Sequence, residues 1–136
     1  MKIFELWRKK LYTTQDPVFG EITFDGAYWT ARLDSGDSLD LRIWADREGP
    51  TKKQTEIYIE LSEMFPTLMR NSLEYLASQL EYRESIGGRD LSPYAIDVAD
   101  KTTDDCDFIL EFSPDGDEVY GVEFLDFVPA RCYLHH

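Results

Sequence analysis

The sequence predicts an α+β fold: an antiparallel β-sheet of about five to seven strands, made of a meander and a C-terminal hairpin, with a broken helix pair packed on one face. Three observations predict it. Polar and apolar residues alternate before Ala45, an apolar helical period runs through Thr51–Tyr82, and alternation returns after Asp107. The chain has 136 residues, and we interpret residues 1–136 as a single domain.

The meander is predicted between Asp16 and Ala45, with a first strand from Val18 to Phe24. Asp25-Gly26 supplies the positive φ of a tight hairpin, and a second turn is predicted at 34–37. In the two strands after Gly26 every second residue is apolar, which predicts a shared core face. That face comprises Trp29, Ala31, Leu33, Leu39, Leu41 and Ile43.

The segment before the meander, Met1–Tyr12, fits either a strand or a short helix packed on the sheet through Phe4 and Trp7. Its apolar spacing agrees with both structures. We therefore leave both interpretations open for this segment.

The helical region begins with a capping-box spacing, Thr51 followed three residues later by Gln54. Pro66 interrupts the apolar period, and a proline in a helix interior costs about 3 kcal/mol. We therefore predict two helices, Lys52–Phe65 and Thr67–Tyr82, with Pro66 in the first turn of the second, or one sharply kinked helix.

The C-terminal part returns to strand-like sequence. Ser85–Asp107 is interpreted mainly as a polar loop, in which Tyr94–Val98 alone has strand character. Three strands are predicted after it, at Phe108–Phe112, Glu118–Phe124 and Phe127–Leu134. Pro129 in the last of them is typical of an edge strand or a bulge.

The charge balance restricts the class of partner. The net charge is −13, and Ser85–His136 holds most of the excess acid. This argues against nucleic-acid binding, which needs clustered Lys and Arg, and favours a basic protein partner. No apolar run approaches the roughly 20 residues of a membrane-spanning helix, and no secretory signal follows the N-terminus, so we predict a cytoplasmic protein.

Few residues suggest catalytic chemistry. His135 and His136 are the histidines, and their place at a terminus that we expect to be frayed makes them poor catalytic candidates. Cys106 and Cys132 lack CxxC spacing and are predicted to be free thiols, unless their segments pair. No catalytic residue, cofactor or metal ion is predicted.

Acidic side chains form the richest polar group, and they have three interpretations: a solvated loop, a surface for a basic partner, or a metal site. The group comprises Asp97, Asp100, Asp104, Asp105, Asp107, Asp115, Asp117 and Glu118. Trp44 lies on the polar side of its strand. It is predicted either to anchor a partner from an exposed position or, the favoured interpretation, to pack on the sheet beneath the helices.

The stretch Asp16–Ile22 matches the pattern D-x-x-F-G-x-aliphatic, and the Tyr28-Trp29 strand and a helix opening on Thr51-x-x-Gln54 follow it. In this layout, over Asp16–Tyr82, the chain resembles a group of small bacterial proteins, some of which are similar to immunity proteins encoded beside polymorphic toxins. The histidine-containing C-terminal strand of that group has no counterpart in Tyr120–Phe127. The resemblance implies a cytoplasmic protein that binds and blocks a cognate toxin, and it implies no catalytic residues.

The first functional hypothesis is a non-enzymatic protein-binding module, most concretely an immunity-type inhibitor of a basic toxin. Trp44 would anchor the partner, and an acidic surface would steer it. That surface comprises Asp104, Asp105, Asp107, Asp115, Asp117 and Glu118. The alternative is a small carboxylate- or metal-dependent hydrolase of unknown substrate, for which Glu21 and Glu123 are the candidate acids. A third hypothesis is a structural or oligomeric module.

Overall fold

A computed structural model describes residues 12–34, 38–100 and 105–136. Within these ranges eight strands form one open sheet whose order follows the chain. They are β1 Tyr12–Asp16, β2 Gly20–Phe24, β3 Trp29–Asp34, β4 Ser38–Ile43, β5 Ser92–Val98, β6 Phe108–Ser113, β7 Val119–Leu125 and β8 Val128–His135. Neighbouring strands are antiparallel except β4 and β5, which are parallel. The predicted α+β fold is confirmed, with more strands than the five to seven expected.

Three helices connect β4 to β5: α1 Lys52–Glu63, α2 Phe65–Ser78 and α3 Leu80–Ile86. The predicted capping box is present, because Thr51 and Gln54 each accept a hydrogen bond from the other's backbone N–H. The break before Pro66 is also confirmed. None of the described helices has the length and apolar character that crossing a membrane requires.

The prediction of one helix over Thr67–Tyr82 is wrong, because a second break separates α2 from α3. Gln79 is extended, with φ −95° and ψ 110°. Just before it, the Ser78 hydroxyl donates to the carbonyl oxygen of Tyr75, 2.6 Å away. Such side-chain bonds to the backbone compete with the helical ladder.

The helices cover one face of the sheet, and the core lies between the two layers. Leu61, Leu68 and Leu76 of the helices are fully buried against the strands. The predicted alternation of the meander is confirmed for all members whose side chains are described: Trp29, Ala31, Leu39, Leu41 and Ile43 are buried. The described apolar residues of these strands therefore face the helices, and the described polar residues between them face away.

The start of the meander differs from the prediction. Val18 does not begin a strand, because the carboxylate of Asp16 accepts the backbone N–H groups of Val18 and Phe19 and turns the chain there. Gly20, with φ +76°, completes the turn, and Phe19 is buried. The segment from Tyr12 to Asp16 forms β1. The strand or short helix predicted for Met1–Tyr12 lies, apart from Tyr12, outside the described residues. Positions 35–37 of the second predicted turn also lie outside them.

The strand predicted within Ser85–Asp107, at Tyr94–Val98, is confirmed and is two residues longer than expected. Ser92–Val98 forms β5, which lies in the middle of the sheet between β4 and β6. Its residues from Ala95 to Val98 are all buried. A strand parallel to its predecessor needs a crossover connection, and the three helices supply it.

The last strand, β8, forms one edge of the sheet, and its ladder with β7 is irregular next to Pro129, as predicted. The expectation of a frayed terminus is wrong for His135, which belongs to β8 and pairs with Val119. His135 thereby extends β8 along the whole of β7.

Candidate functional site

The face of the sheet opposite the helices, here called the open face, carries a groove of about 560 Å³. The pairing register sets two rows of residues across the open face. One row is Arg42, Asp97, Ile109, Glu123 and Arg131, and the other is Asp40, Ala95, Glu111, Gly121 and Tyr133. Trp44, Asp105, Cys106 and His135 also line the groove.

The floor of the groove is a buried charge network formed by Arg42, Asp97, Glu111 and Tyr133. The Arg42 guanidinium donates to both oxygens of Asp97, with Nε–Oδ1 2.6 Å and Nη2–Oδ2 2.9 Å. Its Nη2 also donates to Oε1 of Glu111. The two carboxylate side chains are only 7% exposed, so these charge-assisted bonds are shielded from water.

Tyr133 closes the network from the edge strand. Its hydroxyl donates to Oε2 of Glu111 over 2.8 Å, and its ring lies directly on the backbone of Gly121. A Cβ atom at Gly121 would lie 2.1 Å from Cζ of that ring. The missing side chain of Gly121 therefore makes room for Tyr133 to reach Glu111.

The environment of the network changes the proton affinities of its members. Burial raises the pKa of Asp97, against the lowering effect of Arg42. Burial also raises the pKa of Tyr133 far above its usual value, and the neighbouring Glu111 charge adds to this effect. The pKa of Arg42 is raised although burial opposes it, because Asp97 and Glu111 favour its charged form.

All four oxygens of the two buried carboxylates accept hydrogen bonds. Asp97 Oδ1 receives the indole N–H of Trp44 (3.2 Å) in addition to Arg42. Arg42 and Tyr133 occupy the remaining three oxygens. The network consequently forms a preorganised floor in which two carboxylates share the guanidinium of Arg42.

The rim of the groove is more exposed than its floor. Trp44 is 38% exposed, and its ring packs on Tyr28 with 4.7 Å between centroids. Nη2 of Arg131 lies 3.0 Å from Oε1 of Glu123, and Nη1 lies 3.9 Å from Oδ2 of Asp105. An aromatic surface and accessible carboxylates therefore border the same groove.

The structure separates the residues predicted to bind a partner. Trp44 and Asp105 both line the groove. The Trp44 side chain does not lie beneath the helices, so its interpretation as packing there is wrong. Asp107 is buried and accepts the backbone N–H of Asp126 at 2.8 Å, so it is not an accessible surface charge as expected. Asp104 lies outside the described residues.

The other predicted acids lie in the turn between β6 and β7, at the end of β6 opposite to Asp105. Asp115 Oδ1 accepts the backbone N–H groups of Asp117 and Glu118, which is ordinary turn geometry. Glu118 forms an ion pair with Arg89 at 2.8 Å. The predicted acidic set is therefore divided between two distant places.

The sequence interpretation missed the buried charge network. It placed Asp97 in a short strand but grouped it with the acidic side chains of the following segment, and it gave no role to Glu111 or Tyr133. The available signal was a charged residue between two apolar ones on a strand, as in Ile96-Asp97-Val98 and Leu110-Glu111-Phe112. Such a residue faces the side of the sheet opposite to its neighbours, where it must be solvated or paired.

Cys106 and Cys132 are not joined to each other by a disulfide, as predicted. Cys106 is buried and lines the groove, whereas Cys132 packs at the margin of the helix-covered core. Among residues 12–34, 38–100 and 105–136, no group of three or more His, Cys, Asp or Glu side chains is arranged to hold a metal ion.

Comparisons of the chain with protein-family models, with curated proteins and with solved structures gave no match. The resemblance to immunity proteins therefore stays a prediction. The functional argument accordingly depends on the geometry of the open face.

Proposed function

We propose that the protein is a non-enzymatic protein-binding module whose groove on the open face holds a basic segment of a partner. One observation carries the proposal. The helices cover one face of the sheet, whereas the other face presents a preorganised acidic groove with a tryptophan on its rim. Binding to a preorganised surface loses little conformational entropy.

The charge of the groove indicates the class of partner. Four carboxylates line it, those of Asp97, Asp105, Glu111 and Glu123, against the two guanidinium groups of Arg42 and Arg131. The whole chain carries a net charge of −13. A basic partner would be attracted at long range, and an acidic one would be repelled.

Trp44 is the best candidate for an anchor. Its indole N–H is bound to Asp97, and its ring is held against Tyr28, so the side chain is already ordered before binding. Its exposed surface is available to a partner. Tryptophans in such positions often dominate the energetics of protein interfaces.

The proposal extends to an immunity-type inhibitor that acts in the cytoplasm. The support is the resemblance over Asp16–Tyr82 together with the acidic groove. In this function the groove would cover a basic site on a toxin and exclude the toxin's own substrate. Neither step requires a catalytic residue in this chain.

A carboxylate-dependent hydrolase is the second candidate, favoured by one observation. Burial raises the pKa of Asp97, as is common for catalytic acids. However, Arg42 and Trp44 already bind both of its oxygens. A reacting group would have to displace them, so we favour the binding function.

The test is capture of partners from a lysate of the source cell at low and at high salt, with two charge-matched variants. D105N/E123Q neutralises two acids of the groove, whereas E56Q/E60Q neutralises two exposed acids of α1. We expect wild type and E56Q/E60Q to retain the same basic protein at low salt and to release it at high salt. We expect D105N/E123Q not to retain that protein even at low salt.

Equal retention by the two double variants would contradict the proposal, because the groove would then make no specific contribution. Retention that does not respond to salt would contradict the electrostatic basis of recognition. Equal retention that is still released at high salt would instead favour the turn between β6 and β7, which holds Asp115, Asp117 and Glu118, as the contact surface.

A further inference from the structure

We propose that Arg131 is an internal substitute for the partner's basic side chain: its guanidinium occupies the acidic rim of the groove and is displaced when the partner binds. This inference rests on the proposed function and adds to it a residue that controls affinity. The ligand class is a segment that carries an arginine.

The position of Arg131 supports the inference. It lies on the edge strand β8, and its guanidinium bridges Glu123 and Asp105, with N–O distances of 3.0 Å and 3.9 Å. These two acids belong to the groove but not to the buried charge network. Arg131 thus holds the carboxylates that a basic partner would need.

Exposure distinguishes Arg131 from the other arginine of the groove. The Arg131 side chain is 50% exposed and that of Asp105 is 89% exposed, so water screens their attraction. Arg42, in contrast, is bound to carboxylates that are 7% exposed. Arg131 can therefore leave at small cost, whereas Arg42 is part of the floor.

The same geometry identifies the displacing group. The arrangement of Glu123 and Asp105 already accommodates a guanidinium, because Arg131 occupies it. A guanidinium is also planar and stacks on aromatic rings, and the exposed ring of Trp44 lines the same groove. An incoming arginine would exchange one guanidinium for another at Glu123 and Asp105, and a second basic side chain of the same segment would stack on Trp44, which lies across the groove on the side of β4.

The chain offers a matched control. Arg89 also bridges two carboxylates, Glu118 at 2.8 Å and Asp115 at 3.8 Å, and its side chain is 40% exposed. This cluster lies beside the turn between β6 and β7, outside the groove. R131Q and R89Q change the net charge by the same amount, although R89Q also removes the hydrogen bonds from Arg89 to the carbonyl oxygens of Ser85 and Ile86.

The experiment measures the binding of a fluorescein-labelled hexa-arginine peptide at low salt by fluorescence anisotropy. We expect R131Q to bind roughly three- to fivefold more tightly than wild type, because the internal competitor is removed. R89Q should bind less than about 1.5-fold more tightly, since only the net charge changes. W44A should weaken binding of the peptide to R131Q. Thermal unfolding of each variant checks that it is folded.

Three results would overturn the inference: equal changes in R131Q and R89Q, weaker binding by R131Q, or no peptide binding by wild type and R131Q. These failures are distinguishable from failure of the proposed function. If capture of a basic partner is lost in D105N/E123Q but R131Q behaves like R89Q, the groove binds the partner and Arg131 is not a competitor.

Discussion

Adjacent residues of β6 point to opposite faces of the sheet and meet opposite environments. Phe108 and Leu110 are sealed beneath the helices, with almost no exposed surface. Glu111 follows Leu110 and points to the open face, where Arg42 and Tyr133 bind its carboxylate. The same strand thus contributes apolar packing to one face and a bound charge to the other.

The two faces are stabilised by different physical means. Apolar packing is non-directional and tolerates substitutions that conserve volume. The buried charge network is directional, because removal of one member leaves its partners charged and unpaired. The covered face therefore supplies stability, and the open face supplies a defined arrangement of charges. Single substitutions on each face can test this difference.

Truncation on the covered face should have the largest effect. F108A should lower the free energy of unfolding by about 3–5 kcal/mol, because the buried Phe108 ring packs against Phe124 and Phe127. Urea denaturation measures the loss. I109A changes the next residue, which is half-buried on the open face, and should cost less than half as much. Equal losses would contradict the assignment of the core to the covered face.

Removal of the cation of the network should be nearly as costly. R42M should lower the free energy of unfolding by about 3 kcal/mol, because Asp97 and Glu111 are left close together and unpaired. In R42M/D97N/E111Q the charges are gone, and we expect more than half of the loss to be recovered. A triple variant no more stable than R42M would show that charge is not the cause.

A methyl group at Gly121 tests the close approach of Tyr133. G121A should cost about 1–3 kcal/mol, because its Cβ and the ring cannot occupy their present positions together. The same change in a Y133A background should cost almost nothing. Urea denaturation of the four proteins gives this double-mutant cycle, and equal costs in both backgrounds would show that the ring is not the obstacle.

The raised pKa of Tyr133 predicts the smallest effect, a dependence of stability on alkaline pH. Above pH 10.0, the usual pKa of tyrosine, the unfolded chain releases this proton while the folded protein retains it. Above pH 10, stability of the wild type should then fall with pH more steeply than that of Y133F, by up to about 1.4 kcal/mol per unit. Urea denaturation between pH 9 and pH 11 measures both slopes. Parallel slopes would mean that Tyr133 titrates alike in both states.

Local sequence signals predicted much of the fold. The capping box at Thr51 and the break before Pro66 depend on residues within one helical turn. The alternation from Trp29 to Ile43 needs only the period of a strand. The strand β5 was predicted shorter than it is, because its parallel partner β4 lies before the three helices and is distant in the sequence.

The candidate site was less accessible from the sequence. Trp44 and Asp105 were identified, and both line the groove. The buried charge network could not be assembled, since it joins Arg42 to Tyr133 across five strands of the sheet. Which charges are buried together depends on the order and register of those strands, and local patterns do not specify either.

Site-specific photo-crosslinking distinguishes the two faces as binding surfaces. A photoreactive benzoylphenylalanine would replace either His135, an exposed residue that lines the groove, or Ile59, an exposed residue of α1. In the source cell, we expect the probe at position 135 to form a crosslink to a basic protein and the probe at position 59 to form none. Crosslinks from position 59 alone would contradict the assignment of partner binding to the open face.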